Sequence, residues 1–224
     1  MSKKRFKQYL MLLTVIGLVA VAAGGSGTFA SFSAETTNAG NTFATGTIVL
    51  SNTVNAGTAC LSTNGGSTDT NIYAGCDKVF QLSVKKPGDT YTADQLDIQN
   101  VGSLAASALK FTAGSCAASD AAGQTYHGTG NPCGSIDVYL QEWTDNTYSV
   151  ASHCWYGGGA GTTCSFDDTK TLSTISGVSP ITLTGGLGAS SHRYFTVGLE
   201  LQSAAGNNMQ GRTATADLTW HIDQ

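Results

Sequence analysis

The chain has 224 residues, of which 41% are apolar and only 12% charged, with a formal net charge of −4. That apolar share can build a core, which excludes a disordered, charge-rich tail, and 3 Pro against 28 Gly excludes a collagen-like or Pro-rich chain. The acidic balance excludes nucleic-acid binding as the default function, so the polar surface must come mainly from Ser, Thr, Asn, Gln and Gly.

Lys3, Lys4, Arg5 and Lys7 precede an uncharged apolar run, Leu10 to Ala23, and then a small-residue stretch through Ala30 and Ser31. A basic start, an apolar centre and a small-residue exit make up a secretory signal peptide. The apolar run is shorter than the roughly 20 residues that a membrane span needs. Residues 1–31 are therefore expected to be a signal peptide, leaving no membrane span after processing. Removing them leaves 7 basic against 15 acidic residues, a net of −8. Residues 32–44, without Pro, read as a flexible N-terminal segment, and residues 45–224 as the folded domain.

Along that domain, short alternating runs are separated by Gly, Asn and Ser. Strands are expected at Phe43 to Leu50, at Lys78 to Val84 and at Thr90 to Ile98, the last two separated by the turn Pro87-Gly88-Asp89. Asn100-Val101-Gly102-Ser103 is a further turn, and Ala108 to Thr112 carries Leu109 and Phe111 on one face. Ile136 to Trp143 and Thr147 to Trp155 flank Asp145-Asn146 as a hairpin. Ile181 to Leu183, His192 to Leu201 and Thr213 to Ile222 complete nine or ten strands. No stretch after the signal peptide keeps a helical period. The expected fold is all-β: a two-sheet antiparallel sandwich, jelly-roll-like, with disulfide-stapled loops.

Cys60, Cys76, Cys116, Cys133, Cys154 and Cys164 all follow the signal peptide. An even number in an exported chain reads as disulfides, with 15 connectivities open to six cysteines. The spacing suggests sequential pairs, each closing a Gly/Ser/Thr/Asn-rich loop. Zinc is the rival reading, but no Cys-x-x-Cys occurs.

Chemistry-bearing motifs are absent. His127, His153, His192 and His221 stand alone, and there is no His-Glu-x-x-His, no Gly-x-Ser-x-Gly and no phosphate-binding Gly-rich loop. No cofactor and no catalytic residue is expected. Asp167 and Asp168 with Glu142 or Asp145 form a weak calcium-ligand candidate. Trp155 and Tyr156, ahead of three Gly, are a candidate glycan contact; the alternative is that Trp155 packs beside the Cys154 bridge.

Gly27-Thr28-Phe29-Ala30-Ser31-Phe32-Ser33-Ala34, then Asn41-Thr42-Phe43-Ala44-Thr45-Gly46-Thr47-Ile48, resembles the export and first-strand region of the TasA/camelysin family of exported matrix proteins. Lys86-Pro87-Gly88-Asp89, Asn100-Val101-Gly102-Ser103 and Gly206-Asn207-Asn208-Met209-Gln210-Gly211 look like that family's later turns, in the same order. The cysteine-rich loops depart from its common pattern. The resemblance implies a jelly-roll fold, a signal peptide of the dedicated-signal-peptidase type, and cleavage between Ser31 and Phe32 or between Ala30 and Ser31. It also implies assembly by strand donation, with Phe32, Ser33, Ala34, Glu35, Thr36, Thr37 and Asn38 as the donor segment.

The expected function is a secreted, non-enzymatic subunit of extracellular fibres or biofilm matrix. Its partners would be copies of itself in a head-to-tail homopolymer, with signal peptidase during export. A monomeric secreted adhesin or carbohydrate-binding module is the alternative. A camelysin-type metallopeptidase is a third reading, for which no ligand pair at helical spacing is found.

Overall fold

Alternation of apolar and polar residues becomes strand where one face meets a core and the other meets water. The computed structural model describes residues 4–14, 45–66, 75–80, 86–159 and 161–224. The chain divides into two units, Met1–Ala44 and Thr45–Gln224. In the first, residues 4–14 form helix α1, exposed throughout. No helix among the described residues is long and apolar enough to cross a membrane. The expected cleavage site and the segment 32–44 lie outside the described residues.

The second unit is a sandwich of antiparallel sheets. Its larger sheet has six strands in the order β2 (Cys60–Leu61), β1 (Leu50–Val54), β3 (Thr90–Asn100), β9 (His192–Leu201), β6 (Ile136–Trp143) and β7 (Ala151–Tyr156). The second sheet has three strands, β11 (Leu218–Asp223), β4 (Ala108–Ala113) and β8 (Ile181–Leu183). A two-stranded ribbon pairs β10 (Arg212–Thr215) with β5 (Ala117–Asp120). The chain leaves the large sheet between β3 and β4 and between β7 and β8, returns to it at β6 and at β9, and ends in the second sheet at β11, which gives the jelly-roll-like character.

The core lies between the sheets. Leu96 and Ile98 of β3, Phe195, Val197 and Leu199 of β9, and Val138 and Leu140 of β6 are buried, as are Leu109 and Phe111 of β4, Leu183 of β8 and Trp220 of β11. Burying each such side chain contributes roughly 1.5–3 kcal/mol. Gly198 of β9 belongs to the outer face, where a Cβ would overlap the Tyr139 ring from β6.

Three disulfides staple the loops: Cys60–Cys76, Cys116–Cys133 and Cys154–Cys164, with Cα separations of 5.6, 5.8 and 5.0 Å. These are the sequential pairs. They fit an oxidising compartment.

Several elements differ from expectation. Residues 45–49 are not strand: Thr47 and Val49 instead accept backbone hydrogen bonds from Ser103, Leu104 and Val101 at 2.8–3.0 Å. The first strand therefore begins at Leu50, where the expected one ended. Lys78–Phe80 is irregular, and residues 81–84 of that expected strand lie outside the described residues. Thr147 to Val150 belongs to the hairpin turn, so β7 starts at Ala151. Helix α2 (Leu172–Val178) was hidden because seven residues cannot display a helical period; a capping box between Thr171 and Thr174 starts it. The expected strand Thr213 to Ile222 is two strands. The pairs Thr215↔Ala117 and Leu218↔Ala113 leave two residues opposite three, a bulge that moves the chain from the ribbon to the second sheet.

Candidate functional site

β11 is the outer strand of its sheet, and no strand among the described residues pairs with its other edge. Its apolar residues Leu218, Trp220 and Ile222 alternate with Thr219 and His221 and turn to one side. They face Leu50 and Asn52 of β1 and Leu199 and Leu201 of β9 across a cleft of about 1320 Å³. Val79 and Phe80 also line it. Pockets for small ligands run to about 1,000 Å³, so this cleft suits a more extended occupant.

Two residues lining this cleft each carry a buried polar atom that has no partner among the described residues. Trp220 is 8% exposed, packed against Phe111 at 4.9 Å and Phe195 at 4.6 Å between ring centroids. Its indole N–H is buried without an acceptor, and the Asn52 side-chain oxygen is buried without a donor. Each such group costs roughly 1–3 kcal/mol when left unpaired. One donor and one acceptor, with an unpaired strand edge beside them, match the chemistry of a peptide backbone. The cleft rim carries charge of both signs, including Asp77, Lys78, Glu200 and Asp217.

The turns that carry the family resemblance have clear structural work. Asn100 is fully buried; its amide nitrogen donates to Leu104 and Leu187 carbonyls at 2.7 and 3.1 Å, and its oxygen accepts from Gly102 N–H at 3.0 Å. The Lys86 to Asp89 turn is closed by Asp89 N–H to the Lys86 carbonyl at 3.0 Å and tied to β9 through Gly88 N–H and the Leu201 carbonyl at 2.7 Å. Gly211 at the last turn has φ 63°, a left-handed backbone that glycine adopts readily.

Trp155 and Tyr156 are placed on the inner side of the fold. Tyr156 is 7% exposed, and its hydroxyl shares a 2.7 Å hydrogen bond with the Thr174 hydroxyl. Burial pushes its phenol pKa up. Trp155 is half-buried and donates its indole N–H to Glu142 Oε2 at 2.7 Å. Arg193 also forks onto Glu142, Nε to Oε1 at 2.7 Å and Nη2 to Oε2 at 2.8 Å, and its guanidinium lies 5.8 Å from the Trp155 ring centre. A second, partly exposed group of aromatic rings lies on the outer face of the large sheet.

The calcium candidates do not converge. Glu142 is engaged by Arg193 and Trp155. Asp145 accepts from Thr147, and Asp167 accepts from the Thr169 N–H and hydroxyl at 2.8 Å. Among the described residues no group of three or more His, Cys, Asp and Glu is placed to hold a metal ion. The sequence matches no protein-family model and no curated protein.

Alternation identified Trp220 as an inward residue of the last strand. Nothing in the sequence could mark its N–H as unpaired, because that depends on which strand fails to lie beside β11.

Proposed function

We propose that the protein is a secreted structural subunit of extracellular fibres or biofilm matrix. One copy donates its segment Phe32 to Asn38 to the sheet edge of the next. The observation that carries this reading is the outer edge of β11, which no strand among the described residues pairs, beside a cleft lined by Trp220 and Asn52, whose buried N–H and side-chain oxygen have no partner among those residues. An added strand supplies a ladder of N–H and C=O groups to that edge and covers the apolar floor. At about 3.3 Å per residue, seven donated residues reach roughly 23 Å, enough to run along a six-residue strand of roughly 20 Å. A head-to-tail contact of this kind does not close on itself and so builds a filament. The resemblance of the export region and turns to the TasA/camelysin family supports the same reading, and three disulfides suit a chain that works outside the cell.

Electron microscopy of the oxidised protein beginning at Phe32 tests it. Thin filaments are expected, and deleting Phe32 to Asn38 should leave folded monomers. Unchanged filaments after that deletion would sink strand donation. Asn52→Asp places a charge in the cleft and should weaken assembly without changing the disulfides.

A further inference from the structure

The outer face of the large sheet carries a row of aromatic rings unrelated to the cleft. Strand register puts Trp143 of β6 opposite Tyr194 of β9, and Tyr194 opposite Asp97 of β3. His192, two residues before Tyr194, lies on the same face opposite Gln99, and Thr196 lies opposite Gln95. The β6–β7 turn adds Tyr148. Its ring centre is 6.4 Å from that of Trp143 and 6.0 Å from that of Tyr194, and Tyr194 is 5.9 Å from His192.

These rings are held in position. The Trp143 indole N–H donates to the Thr196 hydroxyl at 2.9 Å. His192 Nδ1 lies 2.8 Å from Asp97 Oδ1. Tyr148 has φ 51°, a left-handed backbone that is unfavourable for a bulky residue. The turn keeps it there through the Asp145 carboxylate, which accepts from Thr147 N–H at 2.9 Å, and the Thr144 N–H to Val150 carbonyl bond at 3.0 Å. In this turn the Tyr148 ring meets both Trp143 and Tyr194 edge-on.

We propose that this face, centred on Trp143, Tyr148 and Tyr194, binds an uncharged polysaccharide of hexopyranose units. A pyranose ring presents an apolar C–H face and a rim of hydroxyls. Half-exposed Trp and Tyr rings supply the matching apolar surface with a polar handle. The hydroxyls need partners, and Gln95 and Gln99 of β3 lie on the same face beside the rings with amide donors and acceptors. Charge selects against the other polymers. The register positions of this face on β1, β3, β6 and β9, from Ser51 and Thr53 to Gln141 and Trp143, include no Lys or Arg. Phosphate-rich polymers and anionic membranes require such cations. The carboxylates nearest the rings are engaged, Asp97 by His192 and Asp145 by Thr147, while Asp137 and Glu200 lie at the far end of the β6–β9 pair. In a matrix subunit this face would attach polysaccharide along the fibre, but its binding does not require assembly.

Affinity electrophoresis of the oxidised protein in gels containing a soluble neutral β-glucan, and separately a neutral galactomannan, tests the proposal. Retardation by at least one of them is expected, unchanged by 0.5 M salt. Tyr148→Ala and Tyr194→Ala should each weaken it about tenfold or more, while Tyr194→Phe should keep most of it. Tyr126→Ala removes a 62% exposed aromatic from another loop and should have no effect. Thermal melts of each variant separate lost binding from lost folding. Trp143→Phe, a smaller change, covers the case where an alanine variant does not fold. No retardation by either polymer, retardation lost in salt, or equal loss in Tyr126→Ala would each overturn the proposal. So would binding only to a protein partner through these rings. Filament formation by the Tyr148 and Tyr194 variants reports on assembly separately.

Discussion

Glu142 sits at the end of the core with side-chain exposure of 11%, opposite Arg193 at 13%. A charge that far from water is tolerated because both carboxylate oxygens are used: Arg193 takes both, and Trp155 donates to one. Arg193 also donates to the Gly185 carbonyl at 2.9 Å, so the pair ties β6, β7, β9 and the loop after β8 together. Arg193→Met would strand the carboxylate, and a loss of about 3–5 kcal/mol is expected from urea unfolding. Glu142→Gln with Arg193→Met should recover part of that loss. Asp137 is a different case. It is 2% exposed, and burial first, with repulsion from Asp168 and Glu200, raises its pKa from 3.8 to about 6 against the lowering effect of the Gln202 hydrogen bond. The folded chain thus holds this proton more tightly than the unfolded one. For this group, stability is full below about pH 4 and is lost as pH rises through about 6. Asp137→Asn should therefore be more stable than the parent at pH 7.5, by about 2–3 kcal/mol, and close to it near pH 4. Thermal melts across that range check the sign.

Among the elements, the Asn100 to Leu104 turn shows how one loop organises its neighbours. Asn100 replaces water with three hydrogen bonds, and Thr47 and Val49 close over the turn from outside. That approach needs Gly102: a Cβ there would overlap the Thr47 carbonyl and stand 2.8 Å from Ile48 Cα. Gly102→Ala should push residues 47–49 away and cost about 1–3 kcal/mol in chemical unfolding. Gln141 does similar work beneath the Cys154–Cys164 loop. Its amide nitrogen donates to the Glu142, His153 and Thr162 carbonyls at 2.7–2.9 Å, and its oxygen accepts from Cys164 N–H at 2.6 Å. The bridge and this buried amide together hold a loop with few apolar side chains of its own.

For the whole molecule, the two sheets do not cover each other equally. Among the described residues the six-stranded sheet faces a sheet of three strands, and along β11 the core opens into the cleft. A strand from another copy is the occupant that would close it in the proposed fibre. If so, a chain that starts at Thr45 should keep a cooperative thermal transition but stay monomeric by sedimentation at concentrations where the chain from Phe32 polymerises. Sedimentation of both chains to the same high mass would show that assembly does not use the N-terminal segment.

Much of this architecture was legible from alternation and turn chemistry. β6, β8 and β9 match the expected runs, because each has one face against the core and turn residues at its ends. The inward sets of β3 and β4 were legible for the same reason. Spacing suggested the sequential disulfides among 15 connectivities, and the structure has those pairs. Other features could not be read along the chain. α2 is too short to show a period, and the break between β10 and β11 arises from a one-residue bulge against β4 and β5. Trp155 read as either a glycan contact or a residue packed beside the Cys154 bridge; Glu142 of the paired strand β6 and Arg193 of β9 engage it. Trp143, Tyr148 and Tyr194 lie up to 51 residues apart and form a row only because β6 and β9 pair. The sequence by itself determined which residues turn inward and where the chain can bend, because those depend on neighbours one to four positions away. Only the tertiary structure decided which edge stays unpaired, which polar atoms lack partners and which rings meet, because these depend on the order of strands in the sheets.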